Sequence, residues 1–263
     1  MSTLTYAVTD SATMLRRNLR HMERYPSLTL MLIGMPIVFL LLFVYVLGGT
    51  MGAGLAGVAG GRSQYLAYVV PGILLIAVSA AAQGTCIAVA MDMTEGIIDR
   101  FRTMAISRSA VLTGHVVGAI IQTLICLGVV LAAAFAMGFR PTAGVVEWLA
   151  TIGMLGLITL ALTWLTVAMG LGAKSVETAS NSPMPLLLLP FFGSGFVPSK
   201  SLPGGLRWFA QHQPFTPMIE TVRGLLMGTR IGNSAIIAIA WCLAIGLFGY
   251  LRSRSSYERR AVR

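Results

Sequence analysis

Six long stretches without a charged residue limit what this 263-residue chain can fold into. No Asp, Glu, Lys or Arg occurs in residues 25–61, 63–91, 109–139, 148–173, 178–199 or 231–251. Each stretch exceeds the roughly 20 apolar residues that a helix needs to cross a bilayer. Lipid offers the backbone no hydrogen-bond partner, so crossing segments must be helical, and the sequence lacks the short alternating segments of a membrane barrel. A mean hydropathy of +0.80 agrees with an all-α integral membrane protein.

We predict a single transmembrane domain over residues 1–263, with spans at about 28–47, 66–91, 110–137, 147–173, 181–198 and 233–251. The first apolar core is too long for the h-region of a signal peptide, about 7–15 residues, so we interpret it as an uncleaved span despite the arginines before it. An even number of spans places both termini on one side. The Lys and Arg residues then divide 13 to 6 in favour of that side, which predicts cytoplasmic termini.

The formal net charge of +10 raises the question of an anionic partner. The basic residues lie at the predicted membrane edges and do not form one patch with interleaved aromatics, so we expect lipid headgroups and no nucleic acid. Three cysteines, Cys86, Cys126 and Cys242, lie singly in different apolar stretches. Without a C-x-x-C pair, we predict that they are buried packing residues.

Residues 11–25 have the pattern of an amphipathic helix that lies on the cytoplasmic membrane surface. Leu15, Leu19 and Met22 recur at helical spacing, and arginines occupy the other faces. A basic tail that only sets the topology is the alternative.

Residues 94–106, between the second and third predicted spans, form a second amphipathic pattern. Its apolar positions share one helical face, and acidic and basic residues occupy the other; the apolar positions are Ile97, Ile98, Phe101, Met104 and Ala105. A helix this short is marginal in water, so the apolar face predicts a protein or membrane partner that orders it. A helix that merely lies among the headgroups is the alternative.

Residues 181–232 are broken repeatedly by proline and glycine. Within the predicted re-entrant region, about 202–230, residues 205–212 and 217–227 are too short to cross the bilayer and too apolar to lie in water. Re-entrant or interfacial helices on the outer face fit both facts. We expect Trp208, Phe209 and Phe215 at the level of the headgroups.

The sequence contains no energy-coupling or catalytic motif. There is no G-x-x-x-x-G-K-[ST], so this chain is not a P-loop ATPase. Acidic residues lie near the ends of the apolar stretches, which disfavours a secondary transporter coupled to protons or sodium. The histidines, His21, His115 and His212, are far apart, so we predict neither an intramembrane enzyme nor a catalytic or metal site.

With these features in place, the chain resembles the permease subunits of type-2 ABC exporters, especially the drug-resistance and antibiotic-export group, over nearly its whole length. Arg24, Pro26 and Pro36 match weakly, and Glu95–Gly96 followed by an apolar helix ending near Ser107–Arg108 matches moderately. The strongest match is a series of elements in order: F-G-S-G-F-V-P-S-K-S-L-P at 192–203, Trp208, Q-P-F-T-P at 213–217 and R-G-L-L-M-G at 223–228. Gln213 replaces the family's usual Asn, which should matter little if that side chain only caps a turn.

The resemblance implies a bacterial plasma-membrane permease that works as a homodimer or with a related permease, bound to two copies of an ATP-binding cassette subunit. ATP and magnesium would bind to that partner, with no cofactor in this chain. The resemblance makes residues 94–106 the coupling helix, with Glu95, Gly96, Ile97, Phe101 and Met104 at the ATPase. It assigns an outer gate to Gly195, Pro198, Pro203, Trp208, Pro214, Thr216 and Arg223. The expected cargo is an amphipathic or lipid-like compound, including drugs; a polysaccharide or lipid-linked glycan is the alternative.

Overall fold

The computed structural model describes residues 26–49, 61–94 and 108–260. The predicted interfacial helix at 11–25 and all of the predicted coupling helix except Thr94 lie outside these ranges, and so do Glu95, Gly96, Ile97, Phe101 and Met104. Every regular element in the described ranges is helical, in this order: α1 Pro26–Leu41 continuing as a π-helix Leu42–Leu47, α2 Arg62–Thr94, α3 Arg108–Ala136, α4 Val145–Gly172, α5 Val176–Asn181, α6 Met184–Leu188, a 3-10 turn Ser199–Ser201, α7 Gly204–His212, α8 Phe215–Met227 and α9 Ser234–Arg260.

Four helices of the described ranges, α2, α3, α4 and α9, are long and apolar enough to cross a membrane. They coincide with four of the predicted spans, and the shorter apolar helix Ile33–Leu47 coincides with the first. The chain is therefore a multi-pass membrane protein, and both the count of six and the orientation of the termini stay predictions.

The predicted fifth span, 181–198, is not one continuous helix. It contains the last residue of α5, the five residues of α6 and a series of turns. Pro183, Pro185 and Pro190 explain the interruption, because proline cannot donate the backbone hydrogen bond that a continuing helix needs.

Helix α2 forms the centre of the bundle. Its side chains from Leu66 to Val78 are almost all fully buried, and it packs against α1, α3, α4, α5 and α8. On the far side of α4 lies α9. Glycines permit these close crossings: a Cβ at Gly170 would lie 2.7 Å from the carbonyl oxygen of Cys86 in α2, and one at Gly249 would lie 2.5 Å from the amide nitrogen of Leu165 in α4.

Several buried hydroxyl groups in the bundle form hydrogen bonds within their own helices. The Oγ of Ser79 donates to the carbonyl of Leu75 at 2.9 Å, and Thr159 donates to Leu155 at 2.7 Å. Such bonds remove the cost of a polar group in an apolar interior, so these residues can serve as packing positions.

All three cysteines are buried, in α2, α3 and α9, as the sequence predicts. We expect Cys86, Cys126 and Cys242 to stay unlabelled when the folded protein in membranes is treated with a water-soluble maleimide, because thiols enclosed by apolar side chains are inert. All three should react after denaturation in SDS, which is the positive control. Mass spectrometry of tryptic peptides checks this, and labelling of any of them in the folded protein would contradict it.

Candidate functional site

The chain leaves α6 through an irregular segment, residues 189–197, which we call the glycine turn. Pro190 is its second residue, and the amide of Gly193 donates weakly to the Pro190 carbonyl at 3.4 Å. A Cβ at Gly193 would lie 2.5 Å from Nε2 of Gln213, so a side chain there would displace the Gln213 amide. The sequence therefore forms a tight turn where the resemblance predicts part of a gate.

The glycine turn lies directly against the backbone of α2. A Cβ built at Gly72 would be 2.8 Å from the carbonyl oxygen and 2.9 Å from the Cα of Gly195. Pro71, the preceding residue, has no amide hydrogen for the carbonyl of Ala67, so the helix lacks one hydrogen bond at this level. Two segments with interrupted hydrogen bonding thus meet at a contact between glycines.

Arg223 of α8 binds both segments. Its Nη2 donates to the carbonyl oxygen of Ser194 at 2.6 Å, and its Nη2 and Nε donate to the carbonyl oxygen of Tyr68 at 3.1 and 3.3 Å. The guanidinium carbon also lies 3.8 Å from the centre of the Tyr68 ring, in cation–π geometry. We call the set of contacts among Tyr68, Ser194 and Arg223 the clasp.

Tyr68 completes the clasp from α2. Its hydroxyl donates to the same carbonyl oxygen of Ser194 at 2.9 Å. One carbonyl therefore accepts from two side chains on two different helices, and this ties α2, the glycine turn and α8 together.

The charge of Arg223 is stabilised chiefly by hydrogen bonds to the backbone carbonyls of Tyr68 and Ser194. Burial lowers the pKa of Arg223 from its ordinary value, and the nearby Tyr68 and Glu220 oppose that shift. A guanidinium stays charged at neutral pH, which is why Arg223 needs these acceptors. The Glu220 carboxylate, one turn earlier on α8, accepts from the hydroxyl of Ser234 at 3.0 Å.

Gln213 links the α7–α8 junction to the glycine turn. Its Nε2 donates to the carbonyl oxygen of Leu189 at 3.0 Å, and the Thr216 hydroxyl donates to the carbonyl of Ala210. The Gln213 amide therefore reaches back 24 residues along the chain instead of only capping a turn. The identity of this residue thus matters more than the sequence suggested.

The remaining predicted gate residues have other positions. Pro198 precedes the 3-10 turn, Pro203 precedes α7 and Pro214 precedes α8, so each proline starts a new element. Trp208 is 65% exposed on α7, and its ring stacks on His212 at 4.7 Å instead of joining the clasp. The structure thus brings Gly195, Thr216 and Arg223 to the glycine turn and its neighbours, but not Trp208.

An aromatic cluster joins the glycine turn to the first helix and was not predicted from the sequence. The ring centre of Phe43, in the π-helix that follows α1, lies 4.2 Å from that of Phe196. The Phe196 ring stacks on the Phe191 ring, with 4.7 Å between their centres. Phe39 contacts Phe191 at 5.6 Å. The glycine turn is therefore held by aromatic packing on the α1 side and by polar contacts on the α2 and α8 sides.

Sequence reasoning also missed Tyr68 and Gly72. A Pro-Gly pair such as Pro71–Gly72 inside an apolar span was a usable signal, since it marks a break where another backbone can approach. No comparable signal marks Tyr68.

Within residues 26–49, 61–94 and 108–260, no three His, Cys, Asp or Glu side chains gather as a metal site would require.

The apolar helices and interrupted segments define a multi-pass membrane protein with an internal polar clasp. The chain belongs to the ABC-2 type transporter family, whose sequence model matches residues 10–227. Family membership implies an ATP-binding cassette partner. The chain is 26% identical over 242 residues to the daunorubicin resistance ABC transporter permease protein DrrB1 of Streptomyces coeruleorubidus, covering 92% of this chain and 82% of that protein. It is 28% identical over 215 residues to the probable doxorubicin resistance ABC transporter permease protein DrrC of Mycobacterium tuberculosis, covering 80% and 74%.

Proposed function

We propose that this chain is the transmembrane subunit of an ATP-driven exporter that moves amphipathic or lipid-like compounds, drugs among them, out of the cytoplasm or the inner leaflet. The observation that carries the proposal is the similarity to two drug-resistance permeases over most of each chain. The sequence contains no P-loop, which supports the proposal that ATP hydrolysis occurs on a separate subunit.

The proposed assembly contains two ATP-binding cassette subunits and two permeases, either two copies of this chain or this chain and a related one. Both termini and residues 94–106 face the cytoplasm in this arrangement, in a bacterial plasma membrane. Glu95, Gly96, Ile97, Phe101 and Met104 then contact the ATPase. Closure of the ATPase pair on ATP would move the coupling helices and shift the permease between two packings.

The proposed outer gate comprises Gly195, Pro198, Pro203, Trp208, Pro214, Thr216 and Arg223. Its support is the position of the glycine turn, which is enclosed by α2, α8 and the aromatic cluster. A segment held by several neighbours and lacking regular helix can change its packing without unfolding a span. The exposed Trp208 fits a place at the headgroups beside such a gate.

Reconstitution tests the function directly. The permease should co-purify with its ATP-binding subunit, and proteoliposomes containing both should move doxorubicin only when ATP is present. A non-hydrolysable ATP analogue in place of ATP is the matched control and should leave no transport. Doxorubicin movement without any ATPase would indicate a secondary transporter, and ATP-dependent transport of a lipid-linked glycan but not of doxorubicin would favour the alternative cargo. Failure to form a complex with any ATP-binding subunit would refute the proposal.

A further inference from the structure

The clasp joins three elements that are distant in sequence through one carbonyl oxygen. Tyr68 and Arg223 approach the Ser194 carbonyl from α2 and α8, at 2.9 and 2.6 Å. Ser194 itself is 2% exposed. Breaking the clasp therefore removes the hydrogen bonds of the Ser194 carbonyl to both helices at once.

The partners of Arg223 suit a contact that must open. Its two acceptors are backbone carbonyls, which bind a guanidinium less strongly than a carboxylate does. Glu220 lies three residues earlier on α8, a spacing that places the two side chains on neighbouring positions of one helical face. A negative charge is thus near Arg223 when the carbonyls leave.

Helix α2 is interrupted at the level where it contacts the glycine turn. The backbone hydrogen bond that Pro71 cannot form lies next to Gly72, against which Gly195 packs. Tyr68 lies one helical turn before Gly72. The first turns of α2 can therefore tilt with little loss of hydrogen bonding.

We propose that the clasp is the closed-state lock of the gate, and that Tyr68 and Arg223 are positioning residues that must release the Ser194 carbonyl before cargo leaves. This inference rests on the proposed export function and adds Tyr68 and the Ser194 carbonyl to the gate. Opening separates the glycine turn from Gly72 and exposes the side chain of Ser194.

A cysteine at position 194 reports the state of the clasp. The Ser194 hydroxyl is buried and makes no hydrogen bond within the described residues, so Ser194→Cys leaves the clasp intact because the acceptor is the backbone carbonyl. The rate at which a membrane-impermeant maleimide labels this thiol is measured with the permease complex in membranes, first without nucleotide and then with vanadate-trapped ATP on the partner subunit. The native cysteines are buried and give a low background.

We expect slow labelling without nucleotide and faster labelling in the trapped state. Adding Tyr68→Phe should raise the nucleotide-free rate about fivefold through the loss of one hydrogen bond, and Arg223→Gln about 30-fold or more. Arg223→Lys should give an intermediate rate, because one ammonium does not span both carbonyls as a guanidinium does. The trapped-state rate should stay unchanged in all three variants, since there the clasp is already open.

Arg207→Gln is the matched control. Arg207 also donates to backbone carbonyls, those of Lys200 and Leu202, but it is exposed and its contacts are local. Its loss should not change either rate.

Two outcomes overturn the proposal: an unchanged nucleotide-free rate in both Tyr68→Phe and Arg223→Gln, or an equal increase in both nucleotide states, which indicates a merely structural role. If Arg223→Gln does not fold, Tyr68→Phe decides, because it retains the ring under Arg223. The nucleotide-free measurement can also be made on the full chain without the ATPase. Slow labelling there, raised by Tyr68→Phe, supports the closed lock even if export of doxorubicin fails, so the two proposals can fail separately.

Discussion

Phe101→Asp should abolish drug export and release the ATP-binding subunit while the permease still inserts into the membrane. The substitution places a charge on the apolar face of residues 94–106, where we propose that the ATPase docks. Loss of a central interface side chain costs about 2–4 kcal/mol, which corresponds to a roughly 30- to 1,000-fold weaker complex. Co-purification of the two subunits and ATP-dependent transport in proteoliposomes measure both effects.

Phe101→Leu is the control for this prediction. It keeps an apolar side chain on the same face, so the complex and most of the transport should survive. Because Phe101 lies outside the residues that the structure describes, the prediction rests on the sequence pattern. Full complex yield and normal export in Phe101→Asp would refute the docking role.

Gly72→Ala should destabilise the folded permease by about 1–3 kcal/mol, the usual cost of forcing extra volume into a packed interior. The new Cβ would meet the carbonyl oxygen, Cα and carbonyl carbon of Gly195 at 2.8, 2.9 and 3.0 Å. These are backbone atoms, which cannot rotate away as a flexible side chain can, so the glycine turn must shift. We expect a lower melting temperature in detergent and weaker transport.

Gly84→Ala separates this steric effect from helix propensity. Gly84 lies in the same helix, α2, and a Cβ there would meet nothing within 4 Å. Alanine favours a helix over glycine by about 1 kcal/mol, so Gly84→Ala should be neutral or stabilising. Equal melting temperatures for Gly72→Ala and the unaltered protein would show that the glycine contact does not limit packing.

The predictability of the fold followed the length of the apolar segments. Four spans were recognisable from the sequence: 66–91, 110–137, 147–173 and 233–251. The free energy of transfer into the membrane is a sum over about 20 residues, so one polar residue changes it little. Residues 181–198 behave differently. They also lack charged residues, but Pro183, Pro185 and Pro190 break the helix, and composition alone does not show where the chain goes after a break.

The candidate site was only partly predictable, because its key partners are backbone atoms. The motif elements at 192–228 predicted a role for Gly195 and Arg223, and both residues do lie at the glycine turn. Every residue has a carbonyl group, so no pattern indicates that those of Ser194 and Tyr68 accept from Arg223. Trp208 shows the reverse case, since it belongs to the same series of motif elements but lies exposed on α7.

The sequence by itself determined that this chain enters a membrane as helices, that it carries no ATP-binding loop and that it resembles ABC permeases. These properties depend on local composition and on motifs within one segment. Only the tertiary structure decided that Tyr68, Gly72 and Arg223 meet at the glycine turn. The physical reason is that α2 and α8 are separated by more than 100 residues, and the packing of apolar helices, which sets their contact, carries no signature at any one position.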